Sequence, residues 1–456
     1  MPTNVKENGF ESSIVSWLVQ HNGYEQGSNA DYNKEIAMDE TRLFRFLNTT
    51  QADKMKQLRL ENDPLEKEKF LQRLDQSLHT NGVIDLLRKG FRYKHLVLDM
   101  FYVRPSPGNE TAAKLYAQNI FSVTRQLQYS RQNPLLALDV CLFLNGLPIA
   151  TMELKNQLTK QNAADAVKQY KDERTPDEVL FGFKRCIVHF AVDDNEVRMC
   201  TELKGQKSWF LPFNKGYNDG AGNPPNPDGI KTDYLWKEIL RKDDFSNIIE
   251  NYVQIICDED EETHKKSYKQ IFPRYHQLQL VTSLLADAKR DGVGKRYLIQ
   301  HSAGSGKSNS IAWLAHQLVT LKDATDHNIF DTVIVVTDRV NLDKQIRNTI
   351  RQFMQVSSTV GWAKDSSELG TLLEKGTKII ITIVHKFQFI LEDISKLHTN
   401  RSFAILIDEA HSSQNGDLST KMNIVLSGSE YDNDDLLEDK INTLIDGKKL
   451  AKNASY

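Results

Sequence analysis

The sequence predicts an α/β protein in two units: a mixed sheet with flanking helices over residues 1–260, then a parallel-sheet lobe over 261–456. Three observations carry this. Residues 136–144 and 148–155 are strand-like runs joined by Asn145-Gly146, a dipeptide suited to the left-handed turn of a tight hairpin. Tyr297-Leu298-Ile299-Gln300 reads as a buried strand, followed by a glycine-bearing stretch and then by residues 311–318, whose apolar spacing suits a helix. Between these regions Asp258-Glu259-Asp260-Glu261-Glu262 is a block of like charge, read as a solvated linker, and the cut is placed near residue 260.

At 456 residues the chain has room for about three domain-sized units. Apolar content of 39% and charged content of 26% describe an ordinary globular protein. Lys+Arg 58 against Asp+Glu 61 leaves a net charge of -3, so no overall basic field advertises nucleic acid, and any such contact needs local patches or partners. Cys141, Cys186, Cys200 and Cys257 are far apart without a C-x-x-C pair, which argues against a zinc site and a disulfide framework and fits a reducing, cytoplasmic location. No run approaches the roughly 20 apolar residues of a membrane span, and the N-terminus lacks the apolar core of a signal peptide.

In chain order, Phe10, Ile14, Trp17 and Leu18 fall on one face of an amphipathic helix. Helical patterns rich in Lys and Glu run from about Lys34 to Leu87, broken at Asn62-Asp63-Pro64 and Asn81-Gly82. Strand-like segments follow at 95–103 and 120–127. A helix is expected at 163–174 and another over 236–256.

The hairpin carries the first chemistry. Glu153 and Lys155 lie two apart on the returning strand and so share a face, with Asp139 beside them on its partner. Two carboxylates and a lysine on one sheet face are costly unless a cation and chemistry occupy the place. Asp139, Glu153 and the Leu154 carbonyl offer hard oxygen ligands for Mg2+, and Lys155 can steady developing charge, an array suited to phosphodiester hydrolysis. An isolated E-x-K would read as a cross-strand salt bridge; the hairpin, the upstream aspartate and the downstream loop reverse that preference.

The second chemistry lies at 301–308, His301-Ser302-Ala303-Gly304-Ser305-Gly306-Lys307-Ser308. Gly304, Ser305 and Gly306 let backbone N–H groups wrap a phosphate chain, Lys307 would reach the β- and γ-phosphates of ATP, and Ser308 would ligate Mg2+. A strict phosphate loop has glycine where His301 stands, a departure that favours a helicase-type loop over a kinase or GTPase. Downstream, the apolar run 403–407 ends in Asp408-Glu409-Ala410-His411, where Asp408 would hold Mg2+ and Glu409 would polarise the attacking water.

The D-x13-E-x-K hairpin resembles the PD-(D/E)xK nuclease superfamily, though Leu138 stands where a proline often precedes the aspartate. Gly304 to Ser308 with Asp408 to His411 resemble the motor motifs of superfamily 2 helicases with a RecA-like lobe. Gln277 looks like their adenine-sensing element, while 333–339 and 379–387 look like strands leading to DNA-contacting loops. The order of these parts, with Phe183 to Asp193, Phe210 to Gly216 and Gly220 to Pro224, resembles the restriction (R, motor) subunit of type I restriction-modification enzymes.

That resemblance implies ATP-driven translocation of double-stranded DNA and Mg2+-dependent, non-specific cleavage in complex with methyltransferase (M) and specificity (S) subunits. In many such nucleases a Q-x-x-x-Y helix flanks the metal site; here Gln169 and Tyr170 are adjacent, so Gln169 has no assigned role. Glu11 could reach the site as an N-terminal acid does in some relatives, but is read as surface charge. The chain ends at Tyr456, ahead of any second lobe, so an N-terminal fragment that is a poor motor by itself is expected. Two other classes stay open: a nuclease-like scaffold with an inactive metal site, and a stand-alone helicase-nuclease of DNA repair.

Overall fold

The computed structural model describes residues 7–337 apart from 106–107, 157–159, 260–262 and 303, and beyond them 346, 348–351, 353, 360–363, 366–383, 401–408 and 454–455. Its contacts divide the chain into two units, Met1–His276 and Gln277–Tyr456.

The first unit opens with α1 (Glu7–Gln20), which buries Phe10, Ile14 and Leu18 as its spacing predicts. After β1 (Glu25–Gln26) and the small hairpin of β2 (Tyr32–Asn33) and β3 (Met38–Asp39) come α2 (Glu40–Thr50), α3 (Ala52–Leu58), α4 (Pro64–Asn81) and α5 (Val83–Lys89). The expected breaks are helix caps: the Asp63 side chain accepts from the Glu66 N–H with Pro64 in the first turn, and α4 ends at Gly82 with φ 89°. A second small hairpin, β4 (Phe91–Tyr93) with β5 (Leu96–Leu98), takes only the start of the strand expected at 95–103.

Then α6 (Glu110–Ala117) leads into the sheet that positions the site: β6 (Phe121–Gln128), β7 (Ala137–Leu144), β8 (Leu147–Leu154), α7 (Ala163–Glu173), β9 (Val188–Val192), β10 (Val197–Cys200) and β11 (Leu211–Pro212). Its seven strands lie in the order β1-β6-β7-β8-β9-β10-β11. It is mixed, because β1 meets β6 and β8 meets β9 in parallel while the other neighbours are antiparallel. At the β7–β8 turn Asn145 and Gly146 adopt φ 51° and 82°. The Asn145 side chain is buried there, accepting from the Ile120 N–H at 2.7 Å and donating to the Met100 carbonyl at 2.9 Å. Every residue of β8 is buried, so this hairpin is the centre of the core. Each of its large apolar side chains contributes roughly 1.5–3 kcal/mol of burial.

The helix expected over 236–256 is shorter and broken. Two π-helical turns, Leu235–Ile239 and Ile248–Tyr252, flank α8 (Lys242–Asn247), and the chain then turns into β12 (Gln254–Glu259). The division expected at residue 260 falls inside an antiparallel hairpin, since β12 pairs with β13 (Lys266–Ile271) from Gln254 opposite Ile271 to Glu259 opposite Lys266. The acids at this turn meet lysines across the strands, Asp258 lying 2.9 Å from Lys269. Behind it Gln270 donates to the Cys186 and Ile187 carbonyls, each at 2.8 Å, and Phe272 packs on Phe190 and Phe213. The hairpin is thereby part of the first unit. Cys141, Cys186 and Cys200 are buried, whereas Cys257 on β12 is partly exposed.

Helix α9 (Tyr275–Asp291) crosses into the second unit, where α10 (Lys307–Thr320) packs against a sheet that among the described residues has five strands, all parallel. Its strands are β14 (Thr332–Thr337), β15 (Val360–Trp362), β16 (Ile379–Ile383), β17 (Phe403–Ile407) and β18 (Ala454–Ser455), with α11 (Ser366–Glu374) leading from β15 to β16. They lie in the order β15-β16-β14-β17-β18. The buried strand expected at 297–300 is not formed: among the described residues no ladder pairs it, Leu298 is 76% exposed and Ile299 41%. An apolar run becomes a strand only where a neighbour takes its N–H and C=O groups. No helix among the described residues is long and apolar enough to cross a membrane.

Candidate functional site

On the hairpin Val140 pairs with Met152, so the next step of the ladder sets Asp139 across from Glu153. The structure thus brings the two carboxylates together as expected. One oxygen of Asp139, Oδ2, accepts from the Leu154 N–H at 2.8 Å and the other, Oδ1, from Gln126 Nε2 at 3.2 Å. Burial raises the Asp139 pKa, opposed by the Leu154 N–H and by the charge of Lys155. Lys155 is 9% exposed, and its N–H donates to the Val192 carbonyl at 2.8 Å, which extends the β8–β9 ladder past Leu154.

Glu153 is wholly buried. Its Oε1 accepts from Arg174 Nε at 2.6 Å, while its Oε2 has no hydrogen-bond partner among the described residues. Burial pushes its carboxyl up to about 8; Asp139 adds to the rise, and Arg174 and Lys155 oppose it. Two desolvated carboxylates this close, one with an orphaned oxygen, form a donor set that fits a divalent cation. The set is small: among the described residues no three His, Cys, Asp or Glu side chains converge on a metal position, so the Leu154 carbonyl remains the third expected oxygen.

Glu11 is not surface charge. It is 2% exposed, accepting from Arg125 Nε at 2.7 Å and from Gln126 Nε2 at 2.9 Å, and Gln126 links it to Asp139. Gln126 reaches both acids from a backbone φ of 45°, where the β6–β7 ladder passes from Arg125 opposite Val140 to Leu127 opposite Leu138. On α7, Tyr170 is buried with its hydroxyl 2.8 Å from Thr151 Oγ1, and Thr151 also meets His189 Nδ1 at 2.7 Å. Gln169 donates to Glu173 at 3.4 Å along its own helix. Arg174, Gln126 and Tyr129 were not singled out from the sequence. Arg174 closes α7 in a run of charged residues, Lys171-Asp172-Glu173-Arg174, that looks like any solvated helix end.

In the second unit Gly304 and Gly306 take φ 71° and 86°, and Gly306 caps α10, placing Lys307 and Ser308 in its first turn. The helix N-terminus is thereby opened toward the loop, the arrangement an anion needs. His301, in the place of the missing glycine, folds onto the loop, its Nδ1 2.8 Å from Ser305 Oγ. Gln277 on α9 is buried and donates from Nε2 to the Ser305 and Gly306 carbonyls at 3.0 and 3.1 Å, so it braces the loop backbone. A methyl on Gly306 would stand 2.5 Å from that Nε2. Asp408 follows β17 and is 6% exposed, its N–H donating to the Val336 carbonyl at 2.9 Å, at the carboxyl end of the parallel strands. Glu409, Ala410 and His411, with 338–339 and 384–387 of the expected DNA-contacting loops, lie outside the described residues.

Residues 4–208 match the family described as type I restriction enzyme R protein N terminus, and residues 276–431 match the SWI2/SNF2 ATPase family. The second match fits the parallel-sheet lobe. The chain is similar to the type I restriction enzyme HindI endonuclease subunit of Haemophilus influenzae, 25% identical over 66% of this chain and 28% of the relative. It is 22% identical to the putative type I restriction enzyme MjaVIIIP endonuclease subunit of Methanocaldococcus jannaschii, over 68% of this chain and 31% of that one. To the type I restriction enzyme SauMSSORF170P endonuclease subunit of Staphylococcus aureus it is 25% identical over 90% of its length and 40% of the relative's. The chain thus corresponds to 28% to 40% of the length of these relatives.

Proposed function

We propose that the chain, whose residues 4–208 match the type I restriction enzyme R protein N terminus and whose residues 276–431 match the SWI2/SNF2 ATPase family, carries the DNA-cutting site and the first ATP-binding lobe of a type I restriction endonuclease subunit. The observation that carries the cutting site is the facing pair Asp139 and Glu153, with the buried Glu153 Oε2 unpartnered among the described residues. Asp139, Glu153 and the Leu154 carbonyl would hold Mg2+, which when bound polarises a scissile phosphate and lowers the pKa of water. Lys155, charged beside both carboxylates, orients the attacking water and offsets charge developing on the phosphate. Leu154 and Gln126 fix the Asp139 carboxylate so that it need not reorganise during the reaction.

In the second unit the N–H groups of Gly304, Ser305 and Gly306 with Lys307 take the phosphates of ATP. Ser308 and Asp408 would hold its Mg2+, Glu409 activates water, and Gln277 meets the adenine edge once nucleotide reorders the loop it braces. Double-stranded DNA is the substrate, methyltransferase and specificity subunits are the partners, and ATP hydrolysis drives DNA past them before cleavage.

The test is plasmid nicking by the full-length subunit with those partners, ATP and Mg2+, comparing wild type, Asp139→Ala and Lys307→Ala. Asp139→Ala is expected to keep ATP hydrolysis and lose cutting at least about 100-fold, and Lys307→Ala to lose both. Cutting by Asp139→Ala at the wild-type rate would make the first unit a scaffold.

A further inference from the structure

Arg174 lies outside the residues assigned above, yet it is the most constrained side chain at the metal-binding pair. It is 2% exposed at the end of α7, and its guanidinium makes contacts in three directions. Nε donates to Glu153 Oε1 at 2.6 Å, Nη1 to the Tyr129 hydroxyl at 2.9 Å, and Nη2 to the Ala137 carbonyl at 2.9 Å. Nη1 also lies 3.4 Å from Glu173 Oε2.

An arginine buried against a carboxylate for stability alone commonly grips both oxygens with two parallel N–H groups. Here the fork is turned so that Glu153 receives one bond, the remaining donors go to Tyr129 and β7, and Oε2 is left buried without a donor among the described residues. Ala137 precedes Asp139 by two residues on the same strand. One rigid plane therefore spans the gap between the strand of Asp139 and the carboxylate of Glu153.

We propose that Arg174 is a positioning residue: it holds Glu153 by Oε1, leaves Oε2 to a divalent cation shared with Asp139, and sets the separation of the two carboxylates through Ala137. The inference rests on the metal-site reading above. A lysine at 174 would supply charge without the planar fork, so charge and positioning are separable.

The test is Ca2+ titration by calorimetry of the 456-residue chain as wild type, Asp139→Asn, Arg174→Lys and Arg174→Gln, with denaturant unfolding of each. Wild type is expected to show a Ca2+ site that Asp139→Asn removes. A folded Arg174→Lys is expected to bind about 10- to 100-fold more weakly, as when an outer-shell partner is lost. Its nicking should need correspondingly more Mg2+ while the rate at saturation is largely kept. A folded Arg174→Lys with Ca2+ affinity within about twofold of wild type would overturn the proposal. Should neither Arg174 variant fold, side-chain NMR of the wild type decides: the Arg174 Nε–H signal is expected to persist in saturating Ca2+, and its loss would show that the cation displaces the arginine. Equal Ca2+ binding by wild type and Asp139→Asn, or none by either, would instead remove the metal site itself, and this proposal with it.

Discussion

Around Asp139 and Glu153 the supporting groups come from distant parts of the chain: Glu11 on α1, Gln126 and Tyr129 on and after β6, Arg174 at the end of α7. Around Gly304 to Ser308 the loop is braced by His301 within it and by Gln277 on the helix before it. The first site is consequently a product of the whole sheet and is buried, while the second is a partly exposed local turn whose conformation depends on two glycines. A metal site must fix two repelling carboxylates in a desolvated place, which takes many contacts. A phosphate loop must open its backbone N–H groups to an anion, which takes few.

The sharpest way to break this contrast is to cut the first unit at its two alternative ends. Ending the chain at residue 260 removes β13, the two Gln270 bonds and Phe272, whereas ending it at 276 keeps them. Loss of a buried phenylalanine alone costs about 3–5 kcal/mol, so residues 1–260 should unfold at least that much more easily than 1–276 in denaturant titration. Equal midpoints would mean that the β12–β13 hairpin is dispensable.

A smaller effect is expected from Gly306→Ala. Its φ of 86° and the 2.5 Å approach to Gln277 make a side chain there strained, so ATP affinity should fall about tenfold or more in fluorescence titration. Because the bracing is local, unfolding of the first unit should stay put; a fall in its midpoint would show that the two sites are not independently built.

The smallest effect is one of pH. Glu153 titrates near 8 in the folded chain against an ordinary carboxylate value when unfolded, so between those values the folded state holds a proton that the unfolded state has released. Stability then falls as pH rises through that window. Burial lowers the His189 pKa to about 3, so His189 opposes this trend only below about 6.5, where the unfolded histidine takes up its proton. Between pH 6.5 and 8 in EDTA the Glu153 contribution should lower stability by less than about 1.4 kcal/mol per pH unit. Glu153→Gln should flatten that slope; an unchanged slope would place its origin elsewhere.

Both candidate sites were legible in outline because their cues are local. Asn145-Gly146 between alternating runs marks a hairpin, the hairpin aligns Asp139 with Glu153, and two glycines before Lys307 announce a loop that opens a helix. What was hidden depends on partners far along the chain. Glu11 looks like a solvated helix acid until Arg125 and Gln126 arrive from β6, and Arg174 is one basic residue among neighbours of both signs until α7 docks. The acidic run near 260 looked like a linker because cross-strand pairs such as Asp258 with Lys269 exist only once the hairpin forms. At Tyr297 to Gln300 the apolar run misled, because among the described residues no ladder supplies the neighbour that would make it a strand.

The placement of the cysteines has a practical consequence. Burial holds Cys186 and Cys200 at about 12 and 11 and pushes Cys141 well above its ordinary value, so at neutral pH these thiols are both shielded and protonated. Cys257, partly exposed on β12, is the thiol that a maleimide dye reaches first, and one attached fluorophore there would read out whether the hairpin that straddles residue 260 is closed.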